Sequence, residues 1–249
     1  MSRGGRLRRW LAPLVVVATA LGSRAAEPVA IAAASDLVFC LEALHREFRR
    51  AQPGIPLRLT TGSSGNFFAQ IKQGAPYDVF LSADLLYPRE LIAAGLAEAE
   101  SLTPYAIGRL VVWTTRPQLD PGDLRALVQH PGVRKFAIAN PAHAPYGRAA
   151  RQALEHHEAW TAVTPKLVLG ENIAQTAQFI QTGNAEAGIV ALSLVMAPAL
   201  KDVGRWVLIP AEHHAILEQG AVLTGRGSRR PEARRYLEFL ESEDRLDVE

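Results

Sequence analysis

The sequence predicts an α/β protein of two lobes, each a mixed sheet with helices on both faces, with a cleft between them. Three observations carry this prediction. Short apolar runs of strand length alternate with segments of helical period through both halves of the chain. A longer β-prone run at 106–115 interrupts the alternation once, between the halves. The 249 residues are 48% hydrophobic, and no linker is long enough to separate independent domains. Repeated strand–helix units of this length imply parallel strands covered by helices on both sides.

In chain order, 29–33 is a short apolar strand. The segment 36–52 has helical spacing, with Leu37, Leu41, Leu44 and Phe48 on one face. A strand at 56–61 precedes a helix at 65–73 that Gly74 stops. A strand at 78–83 precedes a helix at 87–94 that Gly95 stops. The run 106–115, Ile107-Gly108-Arg109-Leu110-Val111-Val112-Trp113 at its centre, reads as one strand crossing between lobes. Alternation resumes with strands at 135–139, 166–169 and 187–191 and helices at 146–157 and 172–181. Strands at 205–209 and 221–224 can cross back, and 231–240 is a closing helix. The expected lobes are 26–107 with 216–249, and 108–215.

The first 25 residues differ from the rest. Arg3, Arg6, Arg8, Arg9 and Arg24 are basic, and no acid precedes Glu27. The apolar run from Trp10 to Leu21 and the small residues around Ser23-Arg24-Ala25 complete a secretory signal pattern. Residues 1–25 are therefore read as a signal peptide cleaved after Ala25, and the mature chain as periplasmic. Loss of five arginines turns the formal charge from +2 to −3. A mildly acidic protein argues against nucleic acid as partner. The single Cys40 excludes an intrachain disulfide. Its apolar neighbours make it a buried helical thiol rather than a lipid-anchored residue.

Ligands of open α/β sheets bind where strand C-termini meet helix N-termini. Four such turns carry short polar residues: Ala34-Ser35-Asp36, Gly62-Ser63-Ser64-Gly65-Asn66, Asn140 to Gly147, and Gly170-Glu171-Asn172-Ile173. Two come from each half. Helix N-termini offer unsatisfied N–H groups and partial positive charge, which is anion chemistry. No Lys or Arg lies inside these turns, and Arg148 falls just past the third. Neutral donors suit a fully ionised oxyanion, because only an inward Asp36 or Glu171 could accept from a protonated one. Taken singly, Ser35, Ser64 and Asn172 read as helix caps; the fourfold recurrence is what points to a site.

Other patterns are weaker. Gly62-Ser63-Ser64-Gly65 lacks the spacing of a nucleophile elbow. His156-His157 and His213-His214 are adjacent pairs, which cannot form an i,i+4 metal clamp and read as solvated faces. No phosphate-binding or dinucleotide glycine pattern is present. Asp84 reads as a turn cap.

Ala32-Ala33-Ala34-Ser35-Asp36-Leu37, Gly62-Ser63-Ser64-Gly65-Asn66, the run from Gln73 to Asp84, Asn140-Pro141-x-x-Ala144-Pro145-Tyr146-Gly147, Gly170-Glu171-Asn172-Ile173 and Ala187-Gly188-Ile189-Val190-Ala191 occur in that order. The ordered set resembles the periplasmic molybdate-binding proteins, the solute receptors of molybdate ABC importers, over residues 28–240. The resemblance implies a type II periplasmic-binding-protein-like fold. It implies oxyanion contacts at Ser35, at the N–H of Asp36, at Ser64, and at the backbone of Tyr146 and Ile173. Ser63 is a further candidate contact. These residues meet a metal only as the oxygens of molybdate. Some members carry a Tyr where this chain has Ala191, which makes the Tyr146 phenol a candidate substitute. The chain also ends early, at Asp247-Val248-Glu249, where members continue.

The expected function is capture of molybdate, and of tungstate, without catalysis or cofactor. The expected partner is the membrane permease of an ABC importer, and the expected state is a monomer. Sulfate or phosphate are alternative oxyanions. An enzyme that builds its cofactor on a cysteine, and a regulator with a DNA-binding domain, fit the fold but not the export signal.

Overall fold

A computed structural model describes residues 26–242. The segment 1–25, expected to be a signal peptide, and the chain end at Asp247–Glu249 lie outside the described residues.

Ten strands form two five-stranded sheets. The first contains β1 (Val29–Ala34), β2 (Leu57–Gly62), β3 (Val79–Ser82), β4 (Thr103–Gly108) and β10 (Leu217–Leu223), in the order β2-β1-β3-β10-β4. The second contains β5 (Leu110–Thr114), β6 (Phe136–Ala139), β7 (Leu167–Gly170), β8 (Ala187–Ala191) and β9 (Arg205–Leu208), in the order β7-β6-β8-β5-β9. In each sheet three parallel strands are followed by one antiparallel strand and an antiparallel edge. The strand order reverses at β1 in one sheet and at β6 in the other. Such reversal points open crevices at the strand C-termini.

Side chains alternate across a strand, and β1 shows why its residues are small. Val29, Ile31 and Ala33 face α1 (Val38–Ala51) and the C-terminal helix Pro231–Glu241, packing on Leu41, Phe48 and Tyr236. Ala32 faces the opposite layer, with Phe67 of α2 (Ser64–Lys72) and Leu91 of α3 (Leu86–Ala93). The second sheet forms its own core around Trp113, Phe136 and Ile189. Its covering helices include α4 (Leu124–Gln129), α5 (Pro145–His156), α6 (Trp160–Val163), α7 (Ile173–Gln181) and α8 (Leu192–Val195). The closing helix is α9.

The run 106–115 is not one strand. β4 ends at Gly108, Arg109 carries the chain across, and β5 begins at Leu110 in the other sheet. One strand cannot ladder with two separate sheets, so the hydrogen bonding breaks at the crossing. A Cβ at position 108 would stand 2.5 Å from the Tyr146 hydroxyl, so only glycine fits that break. The return strand β10 begins at Leu217, four residues before the 221 expected from sequence. A register shift between Gln219 and Gly220 disguises its period. Residues 36–52 are helical but start as a 3-10 turn, Ser35–Leu37, ahead of α1.

Candidate anion-binding site

The turns after β1, β2, β6 and β7 meet between the two sheets. Ser35, Asp36, Ser64, Tyr146 and Ile173 all line one small pocket, with Ser63 and Asn172 beside them. Among the described residues no lysine or arginine lines it.

Local sequence decides which donors remain open. Pro145 is the first residue of α5 and has no N–H, so Tyr146 supplies that helix's first donor. In α7, Asn172 is the cap and accepts from the Gln175 N–H at 3.0 Å. The Ala174 N–H donates to Ser35 Oγ at 3.2 Å. The first N–H of that helix, on Ile173, is left facing the pocket. In α2 the Gly65 N–H donates to the His143 carbonyl at 2.9 Å, which leaves the N–H of Ser64. Ser64 Oγ accepts from the Ala83 N–H at 3.0 Å, so its hydroxyl proton remains available to a guest.

Two cap expectations fail. Ser35 caps nothing in its own turn, where the cap position is Ala34. Its hydroxyl instead crosses the cleft to the start of α7, donating to Asn172 Oδ1 at 3.1 Å. Ser64 is the first residue inside α2, and the cap position belongs to Ser63. Ser63 Oγ donates to the His143 carbonyl at 2.8 Å, making it a bridge between lobes. Asn172 is a cap as expected.

The Tyr146 phenol donates to Asp36 Oδ2 at 3.1 Å. Gln219 Nε2 donates to the same oxygen at 2.7 Å. Sequence reading placed the N–H of Asp36 at the site and left open whether its side chain turns inward; the carboxylate is buried. Burial pushes this carboxyl up to about 6, against the opposing pull of the hydrogen bonds from Gln219 and Tyr146. Glu171 turns outward and accepts from Asn66 Nδ2 at 2.6 Å across the cleft. Gln219 was not singled out from sequence. Its only signal is its place beside Gly220 in the return strand.

The lobes are in direct contact. Arg148 forms an ion pair with Asp84 and donates to the Tyr87 hydroxyl at 3.0 Å. Asp84 also accepts from the Tyr87 N–H at 3.3 Å, the turn-cap role expected for it. A Cβ at Gly65 would lie 2.4 Å from the His143 carbonyl, so this close approach depends on that glycine.

Away from the pocket, His156, His157 and His213 pack together rather than facing solvent separately. The His156 and His213 rings stack at 3.9 Å between centroids, and His157 Nε2 lies 3.0 Å from His213 Nδ1. Among the described residues no group of three or more His, Cys, Asp or Glu could hold a metal ion. Cys40 Sγ donates to the Leu37 carbonyl at 3.1 Å, and burial pushes the thiol up to about 12. Its side chain is half-buried, where the sequence predicts a buried thiol.

Residues 29–247 match the family model of bacterial extracellular solute-binding proteins. The chain belongs to that family. Among its relatives, the molybdate-binding protein ModA of Rhodobacter capsulatus is 37% identical over 75% of this chain and 72% of its own. ModA of Azotobacter vinelandii is 35% identical over 92% of this chain and 90% of its own. The structure of the periplasmic molybdate-binding protein of Azotobacter vinelandii superposes with a TM-score of 0.81 at 32% identity, covering 88% of this chain and 94% of that one. Both lobes of this solute-binding protein, and all four pocket-forming turns, fall within the residues matched by the family model.

Proposed function

We propose that this solute-binding protein captures molybdate in the periplasm and delivers it to the membrane permease of an ABC importer. One observation carries the reading: uncharged donors from both lobes converge on a single pocket with no cation in its lining. The N–H groups of Asp36, Ser64, Tyr146 and Ile173 and the hydroxyls of Ser35 and Ser64 surround the guest. Asn172 Oδ1 keeps the Gln175 N–H when the Ser35 hydroxyl turns to the ligand. Hydrogen bonds to a charged group contribute about 1.5–3 kcal/mol each, enough for micromolar or tighter binding after association entropy. Cavity size separates molybdate from sulfate, because neutral donors do not distinguish tetrahedral dianions by charge. Tungstate, nearly the size of molybdate, is bound as well.

The proposed role is binding, not turnover. In this reading 26–107 with 216–249 and 108–215 move as two bodies around the crossings near Arg109 and Ile216, in a monomer. Residues 1–25 direct export. The test is calorimetric titration of the mature protein with molybdate, tungstate, sulfate and phosphate. Saturable binding of the first two with much weaker binding of the others is expected. No binding of molybdate overturns the proposal.

A further inference from the structure

We propose that Asp36 is a proton-accepting subsite of the anion pocket: the protein takes up one proton on this carboxylate when the oxyanion binds. The inference rests on the oxyanion reading of the pocket.

The geometry is unusual for a buried acid. Asp36 follows Ser35 directly and lines the anion pocket. It also lines a second, small cavity at the lobe crossing, shared with Gly108, Arg109 and Tyr146. Both of its neutral donors, Tyr146 Oη and Gln219 Nε2, converge on Oδ2. Oδ1 is buried without a partner. No salt bridge reaches this carboxylate among the described residues. A dianion arriving in the adjoining pocket adds like charge a few ångströms away, which raises the proton affinity of a carboxylate. Oδ1 is the free position for that proton, which comes from solvent.

The neighbours of Asp36 leave it alone to titrate. Tyr146 from α5 and Tyr105 from β4 are pushed well above the usual phenol range by burial, with the Asp36 charge adding to the effect. Cys40 from α1 is pushed up to about 12. Ser193 from α8 donates its hydroxyl to the Asp36 carbonyl at 3.0 Å and carries no charge. Gln219 from β10 is neutral. Arg109, between β4 and β5, is the one cation lining the second cavity, and its Nε also has no partner. Across the cleft His143 is the other titratable group near the pocket, hydrogen-bonded to Ser63. Before the oxyanion binds, the Asp36 carboxyl is held at about 6, so at neutral pH it is mostly ionised and free to take up the proton.

The experiment is calorimetric titration with sodium molybdate near pH 7.5, in several buffers of unlike ionisation enthalpy. In wild type the observed heat should vary with buffer as uptake of about 0.5–1 proton per molybdate, and the affinity should fall up to about tenfold per pH unit between pH 7 and 9. In Asp36→Asn, both the buffer dependence and the pH slope should vanish. Saturable binding by wild type with no proton uptake overturns the inference while the oxyanion reading stands. So does uptake that persists unchanged in Asp36→Asn, which assigns the proton to another group such as His143. The absence of any molybdate binding by wild type overturns the oxyanion reading itself.

Discussion

Two buried aspartates sit at opposite ends of the first sheet, and their surroundings differ in kind. Asp78, 0% exposed, precedes β3 at the end away from the pocket. It accepts from Arg226 Nε at 2.8 Å, Arg230 Nη1 at 2.5 Å and the Ala30 N–H at 2.8 Å. Asp36, 2% exposed, follows β1 at the pocket and has only neutral donors. Where a negative charge is permanent, the chain supplies arginines: Arg226 and Arg230 also hold Glu27 and the Glu27 carbonyl, closing the sheet's base. Where a negative charge must arrive and leave, it supplies dipoles. A fixed guanidinium in the pocket would bind any anion and desolvate with difficulty; helix termini hold a dianion while remaining neutral when it departs.

The comparison is broken most directly at Asp78. Asp78→Asn leaves two arginines short of a counter-charge, and removal of one partner of a buried pair costs about 3–5 kcal/mol. The lower end is expected, because the Arg226 side chain is 34% exposed. Urea unfolding should show this loss while the folded fraction still binds molybdate. A loss below about 1 kcal/mol would mean that the arginines are well solvated without it. Asp36→Asn should act the other way. A carboxyl raised from 3.8 to about 6 in the fold contributes stability that is full below its unfolded value and lost as pH rises through about 6. Relative to Asp36→Asn, ligand-free wild type should therefore lose up to about 3 kcal/mol between pH 4 and pH 7.5. A pH-independent difference between the two proteins would place the carboxylate in a better solvated setting than its burial implies.

Much of the fold and of the pocket was legible in the sequence, the contrast between the two aspartates was not, and the unread part has a physical cause. Strand and helix periods fixed the alternation, because local apolar spacing decides which face is buried. The four turns were legible because Ser35, Ser64, Pro145 and Asn172 carry turn and cap chemistry in their own identities. What Ser35 bonds to was not legible: its partners Asn172 and Ala174 lie 137 and 139 residues away. The break at Gly108 was hidden within an uninterrupted β-prone run, since strand propensity says nothing about which sheet a residue joins. Asp36, Tyr146 and Gln219 form one network from three distant segments, and no local pattern marks it. Arg226 and Arg230 are likewise ordinary surface types until the fold brings Asp78 to them.

Inside the pocket the hydroxyls come from the first lobe and the second contributes backbone N–H groups, so side-chain substitution probes the lobes unequally. Ser64→Ala and Ser35→Ala should each weaken molybdate binding at least about tenfold, or roughly 1.4 kcal/mol, with the urea midpoint near wild type. Ser64→Ala should cost more stability of the two, because its Oγ also satisfies the buried Ala83 N–H. Unchanged affinity in both variants would remove the hydroxyls from the site and leave a pocket of backbone donors alone.

The smallest effect is expected at Arg148, a cation close to the pocket that does not line it. Arg148 lies two residues past Tyr146, yet its guanidinium turns out of the pocket to Asp84 and Tyr87 on the opposite lobe. Its side chain is 34% exposed, so solvent screens the pair and its contribution is at most about 1 kcal/mol. Because the contact spans the two lobes, under the proposed two-body motion that energy enters the closure equilibrium rather than the stability of either sheet. Arg148→Gln should raise the molybdate Kd about two- to fivefold, chiefly through faster release, with little change in urea midpoint. Added salt should weaken wild type toward the variant, since a screened cross-cleft pair loses its advantage as ionic strength rises. A hundredfold loss instead would mean that arginine charge is felt by the anion directly, and that the division between permanently charged base and neutral pocket does not hold at this edge of the site.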